Sequence, residues 1–167
     1  MPQIRVLGPD DWPLWRRLRR AALADAPAAF GAALADWSGS GDTEARWRSR
    51  LTDVPFNVIL YLDEIPAGAV SAFVTDSGAA ELISLWVVPF ARGRGVGDAA
   101  IGAVAAWAGD RDIGLAVRAD NRAARRLYLR CGFTDSGESC GADISRRMLR
   151  PGTLAPEGDA PEHSVTR

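Results

Sequence analysis

The most informative part of the sequence is Glu81-Leu-Ile-Ser-Leu-Trp-Val-Val-Pro-Phe-Ala-Arg-Gly-Arg-Gly-Val-Gly97. Its first half is an apolar run that ends at Pro89, which predicts a buried strand, and a helix is predicted from Gly95 to about position 109. Between them, alternating glycines let successive backbone N–H groups face one concavity at a helix N-terminus, flanked by two arginines. The combination predicts a pyrophosphate-binding turn; the simpler alternative is a tight connection between a strand and a helix.

The candidate phosphate-binding residues are Arg92, Gly93, Arg94, Gly95, Val96 and Gly97. Two common phosphate loops do not match them. A Walker loop needs a lysine, and all 20 basic residues of this chain are arginine. A dinucleotide-binding fingerprint that begins at Gly93 would have glycine at position 98, where this chain has Asp98. That carboxylate would repel a phosphate unless it faces away from the turn.

Composition limits the function classes. The chain has 167 residues, of which 47% are hydrophobic and 25% charged, which predicts one globular domain over residues 1–150. The formal net charge of -1 favours neither nucleic acid nor an anionic membrane as a partner. No apolar run approaches the ~20 residues of a membrane span, and we expect a cytoplasmic protein. We expect the Pro/Gly-rich residues 151–167 to be a disordered tail.

Histidine and cysteine chemistry is not expected. The single histidine, His163, lies in the expected tail, which argues against a histidine-based catalytic triad. The two cysteines, Cys131 and Cys140, do not form a CxxC pair, and we expect no metal site.

Hydrophobic periodicity predicts an α+β fold. The predicted strands are 3–7, 57–62, 67–75, 80–88, 113–117, 133–140 and 144–149, and the predicted helices are 12–24, 43–51, 95–109 and 121–131. We expect Asp10 or Asp11 to cap the first helix and Asn121 to cap the last. The polar residues 63–66 are expected to form a hairpin turn, and residues 25–42 a loop or short irregular helices.

Two motifs carry a resemblance to a known family. The first is Arg-x-x-Gly-x-Gly across Arg92, Gly95 and Gly97. The second, Asn-x-x-Ala-x-x-Leu-Tyr-x-x-x-Gly-Phe, runs from Asn121 to Phe133. In this order the two motifs resemble the signatures of the GCN5-related N-acetyltransferase (GNAT) superfamily. The stretch Ala-Phe-Gly at 29–31, followed by Trp47-Arg48, is similar to an uncharacterised bacterial branch of it. The resemblance covers about residues 1–150, although the N-terminal half matches only in pattern.

The resemblance implies a fold and an activity. The expected fold is a mixed sheet of six or seven strands flanked by about four helices, with parallel central strands that splay apart near Leu85. The expected activity is direct acetyl transfer from acetyl-CoA, without a metal, to a primary amine of a small molecule, peptide or protein. A non-catalytic CoA or acyl-CoA sensor of the same fold is the second hypothesis, and a nucleotide-binding protein is the third. A homodimer is left open.

The resemblance also implies roles for individual residues. Backbone groups of Leu85, Trp86 and Val87 would pair with the pantetheine arm, and the Leu85 N–H would polarise the thioester carbonyl. Asn121 would contact the pantetheine or phosphate arm, or serve only as a helix cap. Tyr128 would protonate the departing thiolate, since an ordinary tyrosine pKa near ~10 keeps the hydroxyl protonated at neutral pH.

The acceptor side of the reaction is less clearly encoded. Glu81 stands where some family members carry a glutamate base, although a solvated strand-end glutamate would look the same. Strict alternation would place Glu81, Ile83, Leu85 and Val87 on one face of the strand. By position in the family, acceptor contacts would come from residues 25–42 and 134–142. Three aromatic residues would either form an apolar wall for the acceptor or belong to the hydrophobic core: Phe30, Trp37 and Trp47. Three carboxylates would attract an amine: Asp25, Asp36 and Glu138.

Overall fold

The computed structural model describes residues 1–27, 29, 33–140 and 144–153. Their seven strands form one sheet, and four α-helices accompany it. The strands are β1 (Gln3–Val6), β2 (Phe56–Leu62), β3 (Ile65–Val74), β4 (Ala80–Val87), β5 (Ile113–Arg118), β6 (Thr134–Cys140) and β7 (Ser145–Arg150). The helices are α1 (Trp12–Asp25), α2 (Glu44–Asp53), α3 (Val96–Ala108) and α4 (Arg122–Arg130). The predicted α+β fold is confirmed.

The sheet is mixed, with strand order β1-β2-β3-β4-β5-β7-β6. Neighbouring strands are antiparallel except for β4 and β5, which are parallel as predicted. Alternate residues of β2 separate two cores. Val58 and Leu60 face the cluster that includes α3, whereas Ile59 faces the cluster that includes Trp15 of α1 and Trp47 of α2. The two faces of the sheet therefore carry different helices, and each face can hold its own site.

The parallel pair β4 and β5 is joined only at its beginning. Ala80 pairs with Ile113 and Glu81 with Gly114, and no further pair of residues connects the two strands. On the other side of β4, the register with β3 shifts, and Ser84 has a φ of 58°. Ser84 and Leu85 have no paired residue in either neighbouring strand. The predicted splay is present, and it opens after Glu81, earlier in the strand than expected.

The irregularity at Ser84 also changes which residues share a face. Leu85 and Val87 pack against the cluster on the α3 side of the sheet, whereas Glu81 and Ile83 line a pocket with Trp47 on the other side. The expectation that all four β4 side chains share one face was therefore wrong. A bulge inserts one residue out of step with the alternation, and every side chain beyond it changes face.

Other local predictions need correction. The turn between β2 and β3 consists of Asp63 and Glu64 alone, with φ of 48° and 64°, and β3 already begins at Ile65. A two-residue hairpin turn with both residues left-handed leaves no need for a longer loop. Asp11 stands at the N-cap of α1 without a capping hydrogen bond. Its carboxylate instead accepts hydrogen bonds from Arg5 and from the Gly8 N–H.

Two local expectations hold. Asn121 caps α4, because its Oδ1 accepts a hydrogen bond of 3.2 Å from the Ala124 N–H. The stretch 25–42 contains two short 3-10 helices, at Leu34–Trp37 and Gly39–Gly41. The expectations for Phe30, for His163 and for the tail from position 154 lie outside the described residues, as does Ala142 at the end of the expected acceptor stretch. Within the described ranges, none of the helices has the length and apolar character needed to cross a bilayer.

Two glycines allow the packing of β3 and α3 to be tested as a matched pair. A Cβ on Gly68 would lie 2.8 Å from the Trp86 carbonyl oxygen and 2.9 Å from Val96 Cγ1, whereas a Cβ on the exposed Gly102 would meet nothing within 4 Å. We expect Gly68→Ala to lower the free energy of unfolding by about 1–3 kcal/mol through overpacking. Gly102→Ala should raise it by about 0.5–1 kcal/mol, because alanine favours a helix interior. Urea unfolding measures both, and a neutral Gly68→Ala would contradict the close approach.

Candidate active site

A cleft of about 850 Å³ lies along the second half of β4, between α3 and α4. Most residues predicted from the sequence line it, namely Leu85, Trp86, Val87, Arg92, Gly93, Gly95, Val96, Gly97, Asn121 and Tyr128. Glu81 and Arg94 are not among its lining residues. Glu81 lies in a second pocket, described below, and the Arg94 guanidinium is 3.4 Å from Asp63 in the β2–β3 turn.

The glycine turn has the geometry of an anion site. Gly93 and Gly95 have φ of 72° and 81°, and Gly95 is the N-cap of α3. Left-handed residues in such a turn direct backbone N–H groups toward one concavity, and the positive end of the helix dipole adds to it. A Cβ at either glycine would meet nothing within 4 Å, so backbone conformation and not crowding explains these two glycines. The turn therefore fits a pyrophosphate group.

Close packing, and not backbone conformation, explains the glycine at position 97. A Cβ there would lie 2.8 Å from Leu127 Cδ2, so the missing side chain lets α4 pack closely against the first turn of α3. Gly97 therefore sets the width of the cleft between the two helices.

Asp25 organises one end of the cleft. Its Oδ2 accepts hydrogen bonds from Trp86 Nε1 at 3.0 Å and from Arg92 Nη2 at 2.6 Å. The hydrogen bond from Trp86 is the larger cause and the one from Arg92 the smaller, and together they lower the pKa of Asp25 below its ordinary value. Arg92 also donates from Nε to the Val87 carbonyl oxygen at 3.2 Å. The end of α1 is thus tied to the end of β4, and the Trp86 side chain is a buried core residue.

Asp98, whose charge conflicts with phosphate binding, is ion-paired. Arg130 of α4 donates to its carboxylate from Nε at 3.1 Å and from Nη2 at 3.0 Å. This guanidinium holds the pKa of Asp98 below its ordinary range. The negative charge at the beginning of α3 is thus balanced by a residue that the sequence motifs did not single out.

Tyr128 lines the cleft from α4. The side chain is only 7% exposed, and its ring packs edge-on against Phe133 at 5.7 Å between centroids. Burial raises the pKa of the hydroxyl well above its ordinary value. Among the residues that the structure describes, none accepts a hydrogen bond from this hydroxyl. The group is therefore a protonated donor facing a cleft.

A second pocket, of about 360 Å³, lies on the opposite face of β4. It is lined by Arg19, Ala29, Trp37, Trp47, Arg50, Glu81, Leu82, Ile83, Ser84 and Ala116. Trp37 and Trp47 form its aromatic wall, with ring centroids 4.5 Å apart. Trp47 is fully buried and is therefore a core residue at the edge of the pocket, whereas Trp37 is half-buried.

Glu81 is bound to Arg147 of β7 across the intervening strand β5. Its Oε1 and Oε2 accept hydrogen bonds from the guanidinium at 2.5 and 2.9 Å. A Cβ on Gly114 of β5 would overlap that guanidinium and lie 3.0 Å from Glu81 Oε2. The glycine at this position leaves room for the ion pair to pass over β5.

The three carboxylates expected to attract an amine do not line this second pocket. Asp25 is engaged by Arg92, Asp36 accepts a hydrogen bond from the Ala33 N–H, and Glu138 is exposed on β6. Across the described ranges, no group of three or more His, Cys, Asp and Glu side chains is placed to hold a metal ion.

Comparisons with known proteins agree with this geometry. The sequence profile of the Acetyltransferase (GNAT) family matches residues 15–133. No curated protein matches the chain in sequence. Solved structures with the same fold include an acetyltransferase of the GNAT family from Streptococcus pneumoniae, which is 20% identical with a TM-score of 0.72 and covers 92% of this chain and 100% of its own.

Two other similar structures carry more specific descriptions. PaiA N-acetyltransferase from Thermoplasma acidophilum, solved in complex with coenzyme A, is 14% identical with a TM-score of 0.71 over 90% of this chain and 99% of its own. The ribosomal-protein-S18-alanine N-acetyltransferase of Escherichia coli is 22% identical with a TM-score of 0.67 over 94% and 97%. At these identities the likeness shows the fold.

The Asp98–Arg130 pair gives a prediction on phosphate affinity. Arg130→Gln should weaken the binding of coenzyme A, because the carboxylate at the beginning of α3 would then lose its counter-charge. We expect about a 3- to 10-fold increase in Kd, consistent with the loss of a partly exposed charge interaction. Isothermal titration calorimetry measures it. The matched control is the double variant Asp98→Asn/Arg130→Gln, which should recover most of the affinity; equal loss in both variants would contradict charge balance as the cause.

Proposed function

Because the chain belongs to the acetyltransferase (GNAT) family, we propose that it moves an acetyl group from acetyl-CoA directly to a primary amine of a small molecule or peptide. The observation that carries the proposal is the opening between β4 and β5, with the phosphate-type cleft on one face and the smaller pocket on the other. Two substrates can approach each other through such an opening from opposite faces of one sheet. The sequence-based assignments of the family and of an acyltransferase agree with the family match.

The described residues fit acetyl-CoA. The turn at Gly93 and Gly95 and the first N–H groups of α3 would hold the pyrophosphate. The backbone of β4 from Leu85 to Val87 would hold the pantetheine arm as a neighbouring strand would, since Leu85 has no paired residue in β3 or β5. Asn121 lines the same cleft but already caps α4 through Oδ1, so contact with the arm would have to involve its amide nitrogen. Bound there, acetyl-CoA supplies an acetyl group activated as a thioester.

Charge developing on the thioester oxygen needs a donor. We assign this role to the Leu85 N–H, as the sequence resemblance implied, because the bulge at Ser84 removes it from the sheet ladder. A preorganised backbone donor in a desolvated site contributes to acyl-transfer rates without reorganising during the reaction.

The departing thiolate needs a proton, and Tyr128 is the candidate donor. Its buried hydroxyl keeps its proton, because burial raises the pKa above the ordinary value. Cys131 does not offer a covalent alternative. Burial, followed by the neighbouring Asp98, raises the pKa of its thiol, and a protonated thiol is a poor nucleophile. Direct transfer between the two substrates is therefore the simpler route.

The amine must lose a proton to attack, and Glu81 is the candidate acceptor. Its carboxylate lines the second pocket, where it is fixed by Arg147. Each carboxylate oxygen retains a lone pair beyond the one that Arg147 uses, so a bridging water can deliver the proton. Glu81 would then act at a distance from the amine.

The proposed acid is tested by Tyr128→Phe, which removes the hydroxyl and keeps the ring that packs on Phe133. We expect kcat to fall about 10²–10⁴-fold with little change in the KM for acetyl-CoA, because the proton is transferred in the transition state. Steady-state release of free thiol measures both constants. Because burial raises the pKa of Tyr128, ionisation of this group should cause no loss of wild-type kcat between about pH 7 and 10.

The matched control is Tyr61→Phe, since Tyr61 is the other tyrosine of the chain and lines neither pocket. We expect kcat to be unchanged in this variant. If the kcat of Tyr128→Phe lies within about threefold of the wild-type value, Tyr128 is a packing residue and not the proton donor. No thiol release from the wild type over a broad amine panel would favour the non-catalytic sensor.

Glu81→Gln tests the proposed proton acceptor. Glutamine keeps the size of the side chain and one oxygen acceptor for Arg147, but it cannot take up a proton. If Glu81 accepts the proton, kcat/KM should fall at least about 10²-fold at neutral pH and recover as rising pH deprotonates the free amine. The measurement is the pH profile of kcat/KM for one accepted amine. A profile of unchanged shape, shifted by a constant factor, would leave Glu81 as a structural partner of Arg147.

A further inference from the structure

The second pocket contains two partly buried guanidinium groups. Arg19 of α1 and Arg50 of α2 both line it. Burial lowers the pKa of each to about 10, and for Arg19 the nearby charge of Arg50 contributes to this shift. Both side chains therefore remain positively charged at neutral pH while being partly removed from water. Buried charge of this kind is unfavourable unless an opposite charge comes close to it.

The hydrogen-bond partners of Arg50 within the chain are neutral. Its Nη1 donates to Asn57 Oδ1 at 2.9 Å, and its Nη2 donates to Ser71 Oγ at 3.2 Å and to Ser84 Oγ at 3.4 Å. Among the described residues, no carboxylate comes within ion-pairing distance of it. Arginine has five N–H donors, so these three bonds leave donors available, including the one on Nε.

The carboxylate that lines the pocket does not balance this charge. Glu81 accepts both hydrogen bonds of the Arg147 fork, so its negative charge is matched by that guanidinium. Asp53, whose charge acts on Arg50 from a distance, is exposed on α2. The pocket therefore presents positive charge to a ligand and would repel an amine that carried only positive charge.

We propose that this pocket binds an anionic group of the acceptor, so that the substrate is a small amine that also carries a carboxylate or a phosphonate. This inference rests on the proposed acetyl transfer and names the substrate class for it. Arg50 donates to an anionic oxygen through the N–H donors that its three hydrogen bonds leave available, and the positive charge of Arg19 beside it adds to the attraction. Trp37 and Trp47 form the apolar wall beside them.

The position of Arg50 connects this anchor to the reaction. Arg50 donates to the Ser84 hydroxyl, and Ser84 is the bulged residue of β4, in the part of the strand that is no longer paired with β5. The next residue, Leu85, lines the large cleft on the other face. An acceptor anchored at Arg50 thus has its anionic end at one side of the opening, and its amine is directed toward the thioester. The pocket volume of about 360 Å³ suits a molecule of amino-acid size.

The test compares amines that differ only in their charge. Several α-amino acids are each assayed with the wild-type chain and acetyl-CoA beside their own carboxamide and their decarboxylated amine, by thiol release. A second arm replaces the carboxylate with a phosphonate. We expect kcat/KM to be about 10- to 100-fold higher for the anionic member of each set. The two arms show which anion is preferred.

Variants then link the preference to the pocket. Arg50→Gln should bring the kcat/KM for the anionic substrate to within about threefold of the kcat/KM for its neutral counterpart. Arg19→Gln should reduce the ratio of these two values in the same direction, which keeps the test available if Arg50→Gln does not fold. The control is Arg48→Gln, on the same helix, where Arg48 contacts Glu44 and Asp10 at the surface. It should leave the ratio unchanged. A merely structural role for Arg50 would lower both activities in parallel and leave the ratio as it was, and that result overturns the proposal.

The remaining outcomes separate this inference from the proposed function. If neutral amines are acetylated as well as or better than the acids, acetyl transfer stands and the anionic anchor is wrong. If no amine is acetylated, acetyl transfer fails, and the pocket is tested by the thermal shift of the full chain with the same amino acids and amides in the presence of coenzyme A. Stabilisation by the acids in wild type, absent in Arg50→Gln and Arg19→Gln, supports the anionic site. No stabilisation overturns it.

Discussion

The loss of pairing between β4 and β5 after Glu81 is the constraint on which the rest of the site depends. A parallel sheet normally continues its hydrogen-bond ladder along both strands, and unpaired backbone groups in a buried strand are costly. Here the cost falls on Ser84 and Leu85, where the register with β3 also shifts. The result is a central strand in which two residues have no paired residue on either side, and an opening between the two faces of the sheet. Both pockets border this opening, and each contains part of β4.

Ion pairs position the elements around this opening. Asp25 and Arg92 join the end of α1 to the glycine turn, Asp98 and Arg130 join α3 to α4, and Glu81 and Arg147 join β4 to β7. Partly exposed pairs of this kind contribute little to stability, because solvent screens them, so their effect on the fold is small. Their effect on the site is larger, because each neutralises a carboxylate close to where a substrate would lie. Two of the three pairs, Asp98–Arg130 and Glu81–Arg147, are held by two hydrogen bonds each and so keep a defined geometry.

Arg50 in the smaller pocket stands apart from this pattern. Arg50 is bound by an amide and two hydroxyls, and these neutral groups fix its position without cancelling its charge. Around the large cleft, the carboxylates of Asp25 and Asp98 are each paired with an arginine. In the small pocket Glu81 is likewise paired with Arg147, whereas the charge of Arg50 has no carboxylate partner among the described residues. The charge left at Arg50 is consistent with an anionic amine bound in the small pocket.

The sequence by itself determined the α+β class, the order of the elements, the glycine turn and the family, because these depend on local periodicity and short motifs. It also placed ten of the proposed site residues along one cleft, since a strand, a turn and two helices in this order meet at one end of the sheet. Tertiary structure alone decided which face each β4 side chain takes, because a single bulge at Ser84 reverses the alternation beyond it. It also decided the charge partners of Asp98, Glu81 and Asp25, which lie 32, 66 and 67 residues away in sequence. No local pattern connects residues so far apart; only the folded sheet and its helices bring their charges within hydrogen-bonding distance.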